Sequence, residues 1–326
     1  MSIEPQEVKP RKLQAKPFLL ADKIFFGVAN AAAYSAIVII LLILTFLLGR
    51  AWPAFAEQGV WDFVTGSGWD NSTDPILMRI GPMLYGTLLI AALAVAYAVP
   101  LAISIAYFIV FMAPKALAKA ATLLIDLLAA IPSVVVGLWG LMVFSPVAAH
   151  WAEMLNDGFG WIPIFAHGDG NYLNSPFIAA LVLGTMIVPI IASVTREIFS
   201  QMDHEVIKAS LALGGNAEST LRKVILPTSA SGIVGGVLLG LGRAMGETVA
   251  IYFVLNLVFD RFNWGMILEP EGGNVASLIL SKFGEANPQE VEGLMAAGVV
   301  LFVITLLVNA LASFVVAKSQ PWRKAQ

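Results

Sequence analysis

Residues 202–214 read Met202-Asp203-His204-Glu205-Val206-Ile207-Lys208-Ala209-Ser210-Leu211-Ala212-Leu213-Gly214, and nine residues later the segment closes on Val224-Ile225-Leu226-Pro227. Residues 235–247 then read Gly235-Gly236-Val237-Leu238-Leu239-Gly240-Leu241-Gly242-Arg243-Ala244-Met245-Gly246-Glu247. The first stretch is mixed in charge. The second is apolar and glycine-rich, with one arginine and one glutamate four residues apart. A charge at membrane depth costs roughly 2.5–3.5 kcal/mol on insertion scales, so it persists where it has a partner or a task. Whether this second stretch lies in a membrane therefore decides the fold.

The composition places it there. The chain has 326 residues, 58% of them hydrophobic and 13% charged, against about 25% charged in soluble domains. Crossing the hydrocarbon takes about 20 apolar residues, and six windows qualify, near 24–48, 82–111, 121–149, 177–199, 231–258 and 293–317. The fold class is an all-α, polytopic membrane protein with six transmembrane helices. With no cysteine in the chain, disulfides, thiolate metal sites and thiol nucleophiles are excluded.

The basic residues set the orientation. With the N-terminus inside, the inner segments hold Lys9, Arg11, Lys12, Lys16, Lys23, Lys115, Lys119, Arg196, Lys208, Arg222, Lys223, Lys318, Arg323 and Lys324, and the outer loops only Arg50, Arg79, Arg261 and Lys282. By the positive-inside rule both termini are cytoplasmic. Residues 1–23 read as a polar, basic cytoplasmic arm, 24–317 as the membrane domain, and 318–326 as a cytoplasmic tail. The first apolar run is too long for a signal-peptide core and reads as an uncleaved anchor.

Proline punctuates the spans. Pro100 predicts a kink, Ile131-Pro132-Ser133 a break and Pro189 an interruption of the fourth span, because proline lacks the helix donor. Asn174-Ser175-Pro176 predicts a capped helix start. Trp52, Trp61 and Trp69 in the first outer loop read as headgroup anchors. The loop 200–230 is too long for a simple connector. It reads as a helix over 203–213, a break at Gly214-Gly215 and a second helix to Pro227, lying on the cytoplasmic surface.

Arg243 and Glu247 at i and i+4 predict a shared helix face. They can be a self-neutralising structural pair. Alternatively, Arg243 presents its planar donor fork to an oxyanion while Glu247 limits how tightly that anion is held, as conduction requires. Gly232/Gly236, Gly236/Gly240 and Gly242/Gly246 are spaced for close helix packing. Asp126 reads as lying near a cytoplasmic helix end, and His150, His167 and His204 as loop residues without metal-ligand spacing. No Gly-Lys-Ser or Gly-Lys-Thr phosphate loop occurs, so if the chain works against a gradient, the energy has to come from elsewhere. No cofactor or metal is expected.

These residues resemble the permease subunits of bacterial ABC importers. Ala209, Ser210, Gly214, Val224 and Leu226-Pro227 match the spacing of that family's cytoplasmic docking loop. Lys208 departs from the glutamate usual there, and Glu205, one helical turn earlier, is the acid nearest to replace it. The chain is similar to the PstC-type branch through Ala129-Ala130-Ile131-Pro132-Ser133, Gly137-Leu138-Trp139-Gly140, Gly240–Thr248 and Leu301–Thr305. The resemblance implies a type I ABC importer permease fold in the bacterial inner (cytoplasmic) membrane and a role in ATP-driven phosphate import. It also implies Arg243 and Glu247 along the substrate pathway and an ATPase docking loop carrying Glu205, Lys208, Ala209, Ser210, Gly214, Leu226 and Pro227. The partners implied are a second permease (PstA-type), two ATPase subunits (PstB-type) and an extracytoplasmic phosphate-binding protein (PstS-type); the chain itself is then no enzyme. A permease for sulfate or phosphonate, an ion-coupled secondary transporter and a membrane scaffold stay open as alternatives, because an arginine reads charge and shape rather than element.

Overall fold

The computed structural model of the protein describes residues 20–168 and 170–318. Most of the expected N-terminal arm (1–19) and the tail beyond Lys318 lie outside the described residues. Helix α1 spans Leu20–Gln58, about 58 Å at 1.5 Å per residue. Its portion through Phe46 forms a unit of its own, and the remainder of the chain from Leu47 onward forms a second. In the first unit Ile37, Leu41 and Phe46 are all exposed, as lipid-facing or partner-facing residues are.

The second unit continues with α2 (Val60–Thr65) and a short antiparallel hairpin, β1 (Trp69–Asp70) against β2 (Leu77–Met78), with Trp69 opposite Met78. Helix α3 (Gly81–Tyr107) starts on Pro82 and widens into a π-turn at Phe108–Met112 before Pro114 caps α4 (Lys115–Ala129). Pro132 ends that run, as the missing N–H and the strain on Ile131 dictate. A broken rod follows: α5 (Ser133–Trp139), a π-turn at Gly140–Phe144 and α6 (Ser145–Phe159). The expected third window, 121–149, therefore straddles a break. The run long and apolar enough to cross a membrane is Ser133–Phe159, and α4 precedes it as a separate amphipathic helix. His150 lies within α6 rather than in a loop.

Helix α7 (Pro176–Ser200) opens as its sequence predicts, with Ser175 Oγ accepting from Ile178 N at 3.5 Å. Pro189 does not interrupt it; the helix runs through. The segment after α7 forms α8 (His204–Ala212), so His204 opens a helix rather than sitting in a loop. Next come α9 (Ala217–Thr220), a π-turn at Leu221–Ile225 and α10 (Leu226–Gly246), continuous enough to count as one span from Ala217. The expected fifth window, 231–258, is thus displaced: the helix ends at Gly246, and α11 (Val249–Val254) is a separate piece. Helix α12 (Val275–Phe283) and the last span, α13 (Pro288–Lys318), complete the chain, which holds six candidate spans among the described residues.

Small residues build the centre. Ala94, Ala98 and Ala102 are fully buried and spaced four apart on α3, one helix face. They join Leu183, Ile187 and Ile191 of α7 in the main core. Across α7, the glycines of α10 form a ladder. A Cβ at Gly232 would meet Ile198 at 2.6 Å, at Gly236 Val194 at 3.1 Å, and at Gly240 Ile191 at 2.9 Å. The expected close packing holds for this row and fails for Gly242 and Gly246, where nothing lies within 4 Å of a Cβ. On that side Leu239 is 61% exposed, so α10 has one face sealed on α7 and one uncovered.

Candidate functional site: a broken helix beside a cavity

Arg243 sits in the last turn of α10, bordering a cavity of about 480 Å³ lined by Leu128, Val135, Trp139, Thr185 and Met186 from α4, α5 and α7. The walls are apolar apart from Thr185, whose hydroxyl is already spent on the Val182 carbonyl at 2.7 Å. The Arg243 Nε is buried without a hydrogen-bond partner. A buried, unsatisfied donor costs about 1–3 kcal/mol or more when charged, so the group is poised to gain from an acceptor entering the cavity.

Glu247 does not pair with it. The helix stops at Gly246, and Glu247 is extended, with φ −69° and ψ 125°. The shared helix face expected from the i, i+4 spacing is therefore lost, and among the described residues neither Arg243 nor Glu247 forms an ion pair. Glu247 is 7% exposed; its carboxylate accepts from Ala250 N at 3.3 Å, capping the start of α11. Its carbonyl accepts from Asn274 Nδ2 at 2.7 Å, and the Thr248 carbonyl accepts from Ser277 Oγ at 2.9 Å. Sequence reading missed Asn274 and Ser277. The available signal was Asn274 three residues before Ser277, a helix-start pattern, and the structure does show Asn274 Oδ1 accepting from Ser277 N at 2.8 Å.

The segment 203–227 is built from local codes. Asp203 Oδ1 accepts from Glu205 N at 2.8 Å to start α8. Gly214, at φ +84°, ends it, with Gly214 N donating to the Leu211 carbonyl and Gly215 N to the Ser210 carbonyl, each at 3.0 Å. That pair of bonds is the Schellman pattern, which favours glycine at the left-handed position. Asn216 and Ser219 then form a reciprocal capping box. Ser210 Oγ lies 3.0 Å from Thr220 Oγ1 and ties the two helices together. Glu205, Lys208, Ala209 and Gly214 are exposed, whereas Leu226 and Pro227 are half-buried in the first turn of α10. The structure therefore splits the expected docking residues between an exposed rim and a helix start. It adds exposed Val206 and, at 90% exposure, Leu213 to the rim, beside a groove of about 670 Å³. Asp126 on α4 is exposed and away from the Arg243 cavity lining.

Between α1 and α3, Trp52 and Trp61 are exposed as headgroup anchors would be, but Trp69 is 7% exposed. Its Nε1 donates to Glu290 Oε1 at 2.6 Å, and Asn71 Nδ2 donates to Glu290 Oε2 at 3.2 Å. The absent side chain at Gly293 makes room first for Met78 and then for Trp69 against α13. Trp69 is thus a hairpin clamp rather than a membrane anchor. At the hairpin tip, the Ser72 hydroxyl and then its amide donate to Asp70 and hold that carboxyl below the usual carboxylate range.

Residues 98–323 match the family of binding-protein-dependent transport system inner membrane components. The chain is 37% identical over 302 residues, 91% of its length, to a Mycobacterium tuberculosis protein named phosphate transport system permease protein PstC 2, of which 92% is covered. It is 36% identical to the Haemophilus influenzae PstC, covering 89% of this chain and 92% of that one. Among solved structures, a chain of a bacterial alginate ABC transporter in complex with its alginate-bound periplasmic protein superposes over 93% of this chain and 98% of that one, with a TM-score of 0.58 at 15% identity. That likeness shows the fold, an ABC-importer permease.

Proposed function

The chain belongs to the binding-protein-dependent inner-membrane transport components and, within them, to the PstC-type phosphate permeases; from that premise we propose that it forms half of the pathway of an ATP-driven phosphate importer and that Arg243 binds the anion in transit. The carrying observation is Arg243 Nε, buried and unpartnered beside an otherwise apolar cavity. A planar, permanently charged donor fork suits a tetrahedral oxyanion, and a single arginine leaves a multiply charged anion weakly enough held to be released. A homologous second permease (PstA-type) supplies the other half of the route. The uncovered face of α10, running from Gly235 through Leu239 to Gly242, is suited to pack against it.

The energy comes from two ATPase subunits (PstB-type), and the chain itself hydrolyses nothing. The exposed rim of Glu205, Lys208, Ala209 and Leu213 seats in an ATPase groove, so that nucleotide-driven closure moves the spans as rigid bodies. Both termini are cytoplasmic on this reading, and the opposite face receives an extracytoplasmic phosphate-binding protein (PstS-type).

Radiolabelled phosphate uptake in cells lacking this gene, restored with wild type or Arg243→Gln at matched membrane abundance, tests the reading. Losing one charge-assisted contact worth about 1.5–3 kcal/mol predicts a loss of about 10- to 100-fold. Equal restoration by both chains would reduce Arg243 to a packing residue. Suppression of uptake by unlabelled sulfate as strongly as by phosphate would replace the substrate.

A further inference from the structure

The helix carrying Arg243 stops without a proline or a left-handed residue, on two local bonds, Thr248 Oγ1 donating to the Gly246 carbonyl at 3.2 Å and Ala250 N to the Glu247 carboxylate at 3.3 Å. Met245-Gly246-Glu247-Thr248 contains no proline, and Gly246 is not in a left-handed conformation. Unwinding there frees backbone carbonyls in a region where water does not replace lost bonds. That of Glu247 is taken up by Asn274 Nδ2 at 2.7 Å, from a segment 27 residues away, while Ser277 Oγ donates at 2.9 Å to the Thr248 carbonyl, which also accepts from Tyr252 N at 3.0 Å in the first turn of α11. Both donors are buried, at 3% and 0% exposure. They are fixed in turn: Asn274 Oδ1 holds Ser277 N, and Val275 N donates at 3.0 Å to Thr87 Oγ1, whose own proton goes to the Met83 carbonyl at 2.8 Å. An unbroken bond chain thus runs from α3 through the start of α12 to the break.

We propose that Asn274 and Ser277 are positioning residues of the anion pathway. Asn274 satisfies the Glu247 carbonyl and Ser277 pins that of Thr248, and together they hold the helix broken, keep the Glu247 carboxylate turned onto Ala250 N, and so keep it off Arg243. Rewinding through Thr248 would return Glu247 to the face of Arg243, four residues away, where the two charges would neutralise each other. The clamp therefore maintains an arginine free for substrate. This proposal rests on Arg243 being the anion-binding group.

The chain's lack of cysteine makes a direct test possible. Gly246→Cys places the sole thiol at a position with nothing within 4 Å of its Cβ. Its rate of modification by a small maleimide is measured in membranes holding the assembled complex, alongside phosphate uptake over a range of concentrations. Asn274→Asp keeps the acceptor for Ser277 N but turns the donor facing Glu247 into a repelling oxygen. Ser277→Ala removes only the second donor, and Ser277→Thr restores it. The expected result is a modification rate shifted at least fivefold in Asn274→Asp, less in Ser277→Ala, and returned to the parent value in Ser277→Thr. KM for phosphate rises in the same order. Mere loss of folded protein would lower the maximal rate at constant KM. Unchanged labelling and KM in Asn274→Asp at normal abundance overturn the proposal. If that variant fails to accumulate, equal labelling and KM in Ser277→Ala and Ser277→Thr overturn it. Failure of the phosphate reading looks different: wild type itself then moves no phosphate, while the labelling comparison still supports or overturns the clamp.

Discussion

The chain departs from a straight helix at Gly214 and again at Glu247, and the two departures are encoded in opposite ways. At Gly214 every instruction lies within a few residues: Asp203 starts the helix, Gly214 takes φ +84°, and the Asn216–Ser219 box starts the next one. At Glu247 the local bonds are few, Thr248 Oγ1 to the Gly246 carbonyl and Ala250 N to the Glu247 carboxylate, and the rest of the instruction arrives from Asn274 and Ser277. The Gly214 turn is exposed, where local bonds carry the shape. The break at Glu247 is buried, where an unpaired carbonyl is costly enough for distant donors to help set the backbone. A locally encoded turn keeps its shape while moving as a unit. A break held by distant donors is set by the packing of the helices around it, and therefore responds when they move.

The comparison predicts where damage goes. Gly214→Pro should have the largest effect, since it imposes φ near −65° on a residue at +84° and removes the N–H that donates to Leu211. Uptake should fall by an order of magnitude or more while ATP hydrolysis by the purified complex continues, the signature of uncoupling. Coupling retained in that variant would place the ATPase contact elsewhere. Glu247→Gln should act more mildly and with a different signature. The amide oxygen still caps Ala250 N, but the negative charge near Arg243 is gone, so the anion is held longer. KM for phosphate should drop several-fold together with the maximal rate. A rise in KM would instead make Glu247 a proton or cation partner of the substrate, and would break the idea that this region tunes release.

Legibility followed the same division. The fourth span, read as 177–199, is Pro176–Ser200 with the expected Ser175 cap, because hydropathy and capping are both local. Helix α8 and its glycine stop were readable for the same reason. The end of α10 was not: the apolar run from 231 to 258 carries no proline to mark it. Pro189 shows the converse error, a local breaker overruled in a helix packed on both α3 and α10. Trp69 looked like a headgroup anchor until Glu290, more than two hundred residues on, supplied its partner. Arg243 was identifiable as a lone charge at depth, but its freedom from Glu247 depends on backbone geometry that spacing alone could not give.

Asn216→Ala is the smallest and most discriminating change. It deletes the Oδ1 acceptor for Ser219 N at 2.8 Å and leaves Ser219 Oγ still accepting from the residue 216 amide at 2.9 Å. Losing such a cap costs about 0.5–2 kcal/mol. If the Gly214 turn is encoded by several redundant local bonds, that cost is absorbed. Gly214 still closes α8, Ser210 still meets Thr220, and the α9 start frays without the rim changing place. Uptake should then stay within about twofold of wild type, with amide exchange faster only around 217–220. A large loss of coupling from this one exposed residue would mean that the turn, like the break at Glu247, hangs on bonds that no redundant neighbour backs up, and the contrast between the two regions would collapse.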